Sequence, residues 1–303
     1  MLNKVVFPFL KGAAMGAANV IPGVSGGTIA LITGIFERLI NAIKSFDGTA
    51  LKLLIKGQLK EFAAYTDLFF LLYLFAGVFA AILSLARLLE YLFENHPIYV
   101  WAFFFGLVLA SVWFVARTVR KWHAAAVISF LVGATIAISI SVLTPAGEDR
   151  SFYYLFLCGV VAICSMILPG LSGSFVLVLM GNYQLVMIDA INNFDLSILL
   201  PVGIGAVVGL IVFSRFLSWL MKRFPDSTIA LLSGFILGSL GILWPWKTEI
   251  TQAFGDKVKV IAYDWHLPEV NTEFALALVF IILGVLSIAI TEIWADKTQT
   301  EEN

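Results

Sequence analysis

The chain has 303 residues, of which 60% are hydrophobic and only 13% charged, and its mean hydropathy is +0.97. Soluble domains run nearer about 45–50% apolar and 25% charged, and so few charges could not cover a water-exposed surface. With a net charge of −1 there is no basic field for nucleic acid, so the composition excludes a soluble enzyme, a disordered chain and a nucleic-acid binder and points to a polytopic membrane protein.

A helix crosses the hydrocarbon layer in about 20 residues. The first apolar stretch, 5–21, is shorter than that, and it runs on through Pro22 with no small-residue cleavage site, so it is not read as a signal peptide. The joint Asn19-Val20-Ile21-Pro22-Gly23-Val24-Ser25-Gly26-Gly27-Thr28 links it to a second short stretch, 28–43, interrupted by the adjacent charges Glu37 and Arg38. A Lys-rich segment, 44–66, follows. Three full-length spans are then expected at 68–93, 98–116 and 124–143. Two further short stretches, 152–168 and 173–188, are joined by Leu168-Pro169-Gly170-Leu171-Ser172-Gly173-Ser174. Three more spans follow at 197–221, 227–246 and 274–295. Cys158 and Cys164 share one apolar stretch without metal spacing and read as packing residues. Irregular backbone at membrane depth must be enclosed by protein or line a cavity. Each short pair is therefore expected to be a re-entrant hairpin.

The two halves match. At an offset of 147, Gly12 aligns with Gly159, Pro22 with Pro169, Ser25 with Ser172, Gly26 with Gly173 and Gly34 with Gly181. At an offset of 128, Gly77 aligns with Gly205, Arg87 with Arg215, Pro97 with Pro225 and Gly106 with Gly234. Each half holds one broken pair and three spans. Three is odd, so the second half starts on the opposite side from the first, and the expected fold is an all-α, inverted-topology repeat of the kind common in secondary transporters. Its halves are 1–145, with the Lys-rich insertion at about 44–66, and 150–303, with an acidic loop at about 247–273. Lys-rich 44–66, Arg117, Arg120, Lys121, Lys222 and Arg223 all fall on one side of this topology, and the acidic loops 144–151 and 247–273 on the other. The positive-inside rule then puts both termini in the cytoplasm.

The Pro-Gly-x-Ser-Gly joints are the sharpest candidates for binding. Their glycines allow close backbone approach. Ser25 or Thr28, and Ser172 or Ser174, can cap the helix that follows. If both tips reach the midplane, helix N-termini converge there and form an anion site suited to phosphate, with Ser25, Gly26, Gly27, Thr28, Ser172, Gly173 and Ser174 around it. The bland alternative is a tight packing turn whose serines satisfy only backbone. Arg87 and Arg215 can grip a phosphate in a fork or simply snorkel to headgroups. Glu37, Arg38, Glu90 and Asp189 can form ion pairs, the acids with arginines, and Glu37 and Glu90 are candidates for proton coupling. Glu90 follows Arg87 by three residues, so a local ion pair is the simpler reading there. There is no nucleotide-binding loop, no Gly-x-Ser-x-Gly elbow and no zinc-spaced cluster. Neither a metal nor a cofactor is expected, and the energy source left open is a proton or sodium gradient.

At these joints, and at Phe105-Gly106-Leu107-Val108-Leu109-Ala110-Ser111, the chain resembles the polyprenyl-phosphate transporter family of bacteria and archaea. The resemblance covers nearly the whole chain, with Ser174 standing where the first repeat has Gly27. It implies a flippase of the cytoplasmic membrane, without covalent chemistry, that returns undecaprenyl phosphate for reuse in peptidoglycan and related envelope polymers. The implied partners are polyprenyl phosphate and membrane lipids, and a homodimer is compatible with the sequence but not required by it. A small-anion transporter or channel and a non-transport scaffold of envelope synthesis are the rival readings.

Overall fold

The computed structural model describes residues 2–20, 26–143, 146–255 and 257–301; within them the side chains of 2–4, 19–20, 85–87, 89–90, 188, 192, 257, 259 and 291–301 are not described. The helices are α1 (Leu2–Val20), α2 (Gly26–Ile32), α3 (Phe36–Lys44), α4 (Gly48–Ile55), α5 (Leu59–Tyr65), α6 (Leu68–Asn95), α7 (Pro97–Ala116), α8 (Ala124–Val142), α9 (Phe152–Ile167) and α10 (Gly173–Leu179). A π-helical turn (Leu185–Asp189) leads into the single turn α11 (Ala190–Asn192), and then come α12 (Leu196–Arg223) and α13 (Pro225–Leu243). Strands β1 (Lys247–Phe254) and β2 (Lys257–Trp265) pair as a hairpin before α14 (Thr272–Glu301).

Among the described residues, five helices are long and apolar enough to cross a membrane: α7, α8, α12, α13 and the Thr272–Ile290 part of α14. The sixth expected span forms α6, whose Leu68–Ser84 portion follows α5 at a bend of 67°. The short stretch 28–43 is not one helix. It breaks into α2 and α3, bent by 117°, with Gly34 at φ +70° in the break. The matched Gly181 ends α10 at φ +72°. The acidic 247–273 segment is not merely a loop either: β1 and β2 pair within it as a strand hairpin in an otherwise helical chain.

The chain divides into two compact units. The first is Met1–Ala86, Thr144–Pro225 and Gln252–Ile261; the second is Arg87–Leu143, Asp226–Thr251 and Ala262–Asn303. In the first, α1 meets α6 and α9 meets α12 through glycines. A Cβ at Gly12 would strike the Leu74 carbonyl, and one at Gly159 the Val202 carbonyl. In the opposite direction, Gly77 abuts the Phe9 carbonyl and Gly205 the Phe156 carbonyl. Only a residue without a side chain permits backbones this close. In the second unit Gly284 abuts the Phe103 carbonyl and Gly106 the Ile281 carbonyl, so α7 packs on α14; Gly133 against Leu231 and Gly234 against Phe130 join α8 to α13 in the same way.

Candidate functional site

The two joints meet in the first unit. Thr28, 1% exposed in the first turn of α2, accepts a hydrogen bond through Oγ1 from the Gly170 N–H at 3.0 Å. The residues are 142 apart in sequence. Gly170 takes φ +81° in the second joint, which turns its N–H out of any local ladder. The contact is buried, so the bond keeps a backbone donor from being stranded. Gly26 and Gly27 lie beside Thr28 and are buried. Gly173 is buried against the Ala162 carbonyl and the Met166 side chain.

In the second joint the serines depart from the expected capping. Ser172 occupies the N-cap of α10 in extended conformation, yet its side chain caps nothing. Its hydroxyl shares a hydrogen bond of 3.1 Å with Ser174 Oγ, which competes for the same atom. Thr28 likewise lies inside α2 and serves the other joint rather than its own helix. Both α2 and α10 have only seven residues, so neither develops the dipole of a long helix. What they offer is hydroxyls and closely packed backbone. Ser25 lies outside the described residues, as do the side chains of Arg87 and Glu90.

The polar face of α3 forms a second constellation. Phe36, Leu39, Ile40 and Ala42 are buried, while Glu37 and Arg38 are exposed. A cavity of about 490 Å³ is lined by Gly34, Glu37, Arg38, Asn41, Ala42, Tyr65 and Asp67. Next to it, Lys44 Nζ donates to Ser218 Oγ at 3.3 Å, and Ser218 donates to Asn41 Oδ1 at 3.0 Å, tying α3 to α12. Arg215 stands one turn before Ser218, exposed on α12. The Ala50 N–H chiefly holds the Asp47 carboxyl below the usual carboxylate range, with the Tyr65 hydroxyl, the Thr49 N–H and, least, the Arg215 guanidinium adding to it. That same carboxylate caps α4. Lys11, a lone cation in the first apolar stretch, donates to the Thr33 carbonyl at 2.7 Å, just past the end of α2.

Lys11, Asn41, Lys44 and Ser218 were not singled out by sequence reasoning. A signal did exist for α3, where Arg38, Asn41 and Lys44 recur at helical spacing on one face. Ser218 carries no comparable signal, because its role depends on a partner 177 positions away. Asp189 keeps its carbonyl bonded to the Asn193 side chain at 2.9 Å. Among the described residues no group of three or more His, Cys, Asp or Glu could hold a metal ion.

A family model described as "VCA0040-like: Undecaprenyl phosphate translocase-like" matches residues 15–261. A polyprenyl-phosphate transporter of Vibrio cholerae serotype O1 is 39% identical over 298 residues, covering 95% of this chain and 96% of that one. A polyprenyl-phosphate transporter of Staphylococcus aureus is 31% identical over 264 residues, covering 78% and 85%. No solved structure matches the chain. The family match takes in both joints, the α3 cavity and Arg215, and the chain belongs to the undecaprenyl phosphate translocase-like family.

Proposed function

We propose that this protein carries undecaprenyl phosphate, or a related polyprenyl phosphate, across the cytoplasmic membrane so that the lipid carrier can be reused in envelope synthesis. The observation that carries the reading is the 39% identity to a polyprenyl-phosphate transporter over 95% of the chain, together with the family match. The step is transport without covalent chemistry.

The headgroup site in this reading lies at the two joints. Ser25, Thr28, Ser172 and Ser174 supply hydroxyls, and Gly26, Gly27 and Gly173 let backbone close in around the phosphate. Arg87 and Arg215 attract the anion from opposite faces of the membrane. A phosphate in low dielectric needs several donors at once, and the buried Thr28–Gly170 bond supports convergence of the joints on one place. The prenyl tail stays in lipid through a lateral opening, which removes the need for an aqueous pore. Glu37, on the wall of the α3 cavity, and Glu90 are the candidates for coupling to a proton gradient; a sodium gradient is the alternative source.

The inverted repeat, with halves 1–145 and 150–303 and both termini cytoplasmic, gives the reading its alternating access. Support comes from the glycine contacts. Gly12–Leu74 becomes Gly159–Val202 on adding 147 to the residue of α1 and 128 to that of α6, and Gly77–Phe9 becomes Gly205–Phe156 with the same 128 added to Gly77 and 147 to Phe9. Helix lengths support a re-entrant hairpin for the second pair. The 16 residues of α9 span about 24 Å and the seven of α10 about 10 Å, both short of a hydrocarbon core of about 30 Å.

The test is transfer of polyprenyl phosphate in proteoliposomes containing only this protein, with and without an imposed pH gradient. Flux that Arg215→Ala lowers about tenfold or more, at unchanged insertion, is expected from loss of a charge-assisted phosphate contact. Absence of flux in folded, mixed-orientation protein would overturn the reading.

A further inference from the structure

The α3 cavity carries an ion pair with an unusual setting. Arg38 holds Asp67 in a two-point fork, Nε to Oδ2 at 2.6 Å and Nη2 to Oδ1 at 3.0 Å. The guanidinium carbon lies 4.1 Å from the centre of the Phe70 ring, which fixes its plane. Asp67 sits between α5 and α6 with φ +49°, a left-handed conformation that non-glycine residues adopt infrequently. The backbone therefore takes a disfavoured shape where a carboxylate faces the guanidinium. Both members border the cavity, with Asn41 one turn along the same wall.

A carboxylate and a phosphate present the same two-oxygen edge to a guanidinium. The Arg38 and Asp67 side chains are 54% and 38% exposed, and a pair so open to water contributes little to stability. It can therefore be exchanged at small cost. Further donors stand close by. Lys44 uses one of its three N–H groups on Ser218, and Asn41 has its amide oxygen engaged by Ser218, which leaves the amide nitrogen end of that side chain as its donor. Arg215 is on the same stretch of α12.

We propose that Arg38, with Asn41 beside it, forms a phosphomonoester-binding station on the α3 cavity, where the phosphate and the Asp67 carboxylate compete for one guanidinium. The built-in competitor keeps the anion from being held too tightly to leave, as a carrier requires. That the anion is a lipid headgroup, met on the cytoplasmic side, rests on the functional reading above; the competition itself needs only a phosphate monoester.

The test is calorimetric titration of the purified full chain in detergent with farnesyl phosphate and, in a separate arm, with inorganic phosphate. Asp67→Asn removes the competing charge while keeping a residue that tolerates the left-handed region; its affinity should rise about two- to fivefold. Arg38→Gln should bind about tenfold or more weakly. The double variant should bind no more tightly than Arg38→Gln alone, because Asp67 acts through Arg38. If Asp67→Asn does not fold, Asp67→Gly carries the same expectation. Shifts with both probes support the station with the phosphate group as its ligand, and shifts with farnesyl phosphate alone support it with the lipid as its ligand. Wild-type affinity in either folded single variant overturns it. The two readings fail separately. A wild type that moves no polyprenyl phosphate but shows the variant pattern with inorganic phosphate would sink the transport reading and leave the station, whereas transport by a wild type whose variants bind normally would sink the station alone.

Discussion

At the scale of residues, Thr28 and Lys247 show how a single atom's partners set the outcome. Thr28→Val keeps the shape but leaves the Gly170 N–H buried without an acceptor, at a cost of about 1–3 kcal/mol. A lower melting temperature in detergent is expected for Thr28→Val and recovery for Thr28→Ser. A valine variant as stable as wild type would show the bond to be dispensable. The bond breaks the internal symmetry, since the residue matched to Thr28 is Phe175, which has no hydroxyl. In the second unit Lys247 Nζ lies 3.4 Å from the Trp101 ring centre and 5.2 Å from that of Tyr263, and donates to the Ile242 carbonyl near the end of α13. Burial lowers its pKa to about 7, winning over Glu249, which acts in the opposite direction. The fold thus binds fewer protons than the unfolded chain between about pH 7 and the ordinary lysine value of 10.5. Stability should rise with pH through that window, by up to about 1.4 kcal/mol per pH unit. Melting curves from pH 7 to 9 should climb for wild type and lie flat for Lys247→Met; equal slopes would exclude Lys247 as the source.

Among the elements, helix crossings depend on glycine in a position-specific way. Gly205 and Gly203 are two residues apart on α12, but a Cβ at Gly205 meets the Phe156 carbonyl whereas one at Gly203 meets nothing within 4 Å. Gly205→Ala should push α9 from α12 and cost about 1–3 kcal/mol. Gly203→Ala should be neutral or stabilising by up to about 1 kcal/mol, through helix propensity. Thermal denaturation of the two variants side by side checks this, and equal melting temperatures would contradict it. Another element is pinned by Asn182, which is fully buried. Its side chain accepts from the Asp149 N–H at 3.0 Å and donates to the Asp149 carbonyl at 2.7 Å, tying the 146–151 loop to the end of α10. Sequence reasoning saw the small-residue punctuation of the helices but not these partners, because Gly205 and Gly203 look alike until α9 is placed beside one of them.

For the whole molecule, the proposed topology makes the Lys-rich 44–66 segment cytoplasmic and the 247–273 segment external. In a chain with Cys158 and Cys164 replaced by Ala, a membrane-impermeant maleimide added to intact cells should label Val270→Cys and spare Lys56→Cys. Val270 is 91% exposed, so access to it is not limited by packing. Labelling of Lys56→Cys alone would reverse the orientation, and labelling of both or neither would reject this topology. The charge pattern behind the prediction is readable from sequence because loop charges act through the membrane field and need no tertiary partner.

Amino-acid order by itself determined the membrane-spanning character, most span positions, the internal match between halves and the two Pro-Gly-x-Ser-Gly joints. Hydropathy, helix breaking and small-residue spacing are local properties, and they act before any contact forms. Tertiary structure decided the 117° bend between α2 and α3, the Thr28–Gly170 bond, the Asn41–Ser218–Lys44 chain and the Arg38–Asp67 fork. Each of the last three joins residues at least 29 positions apart, and which donor finds which acceptor is settled only when packed helices bring the side chains within hydrogen-bond reach.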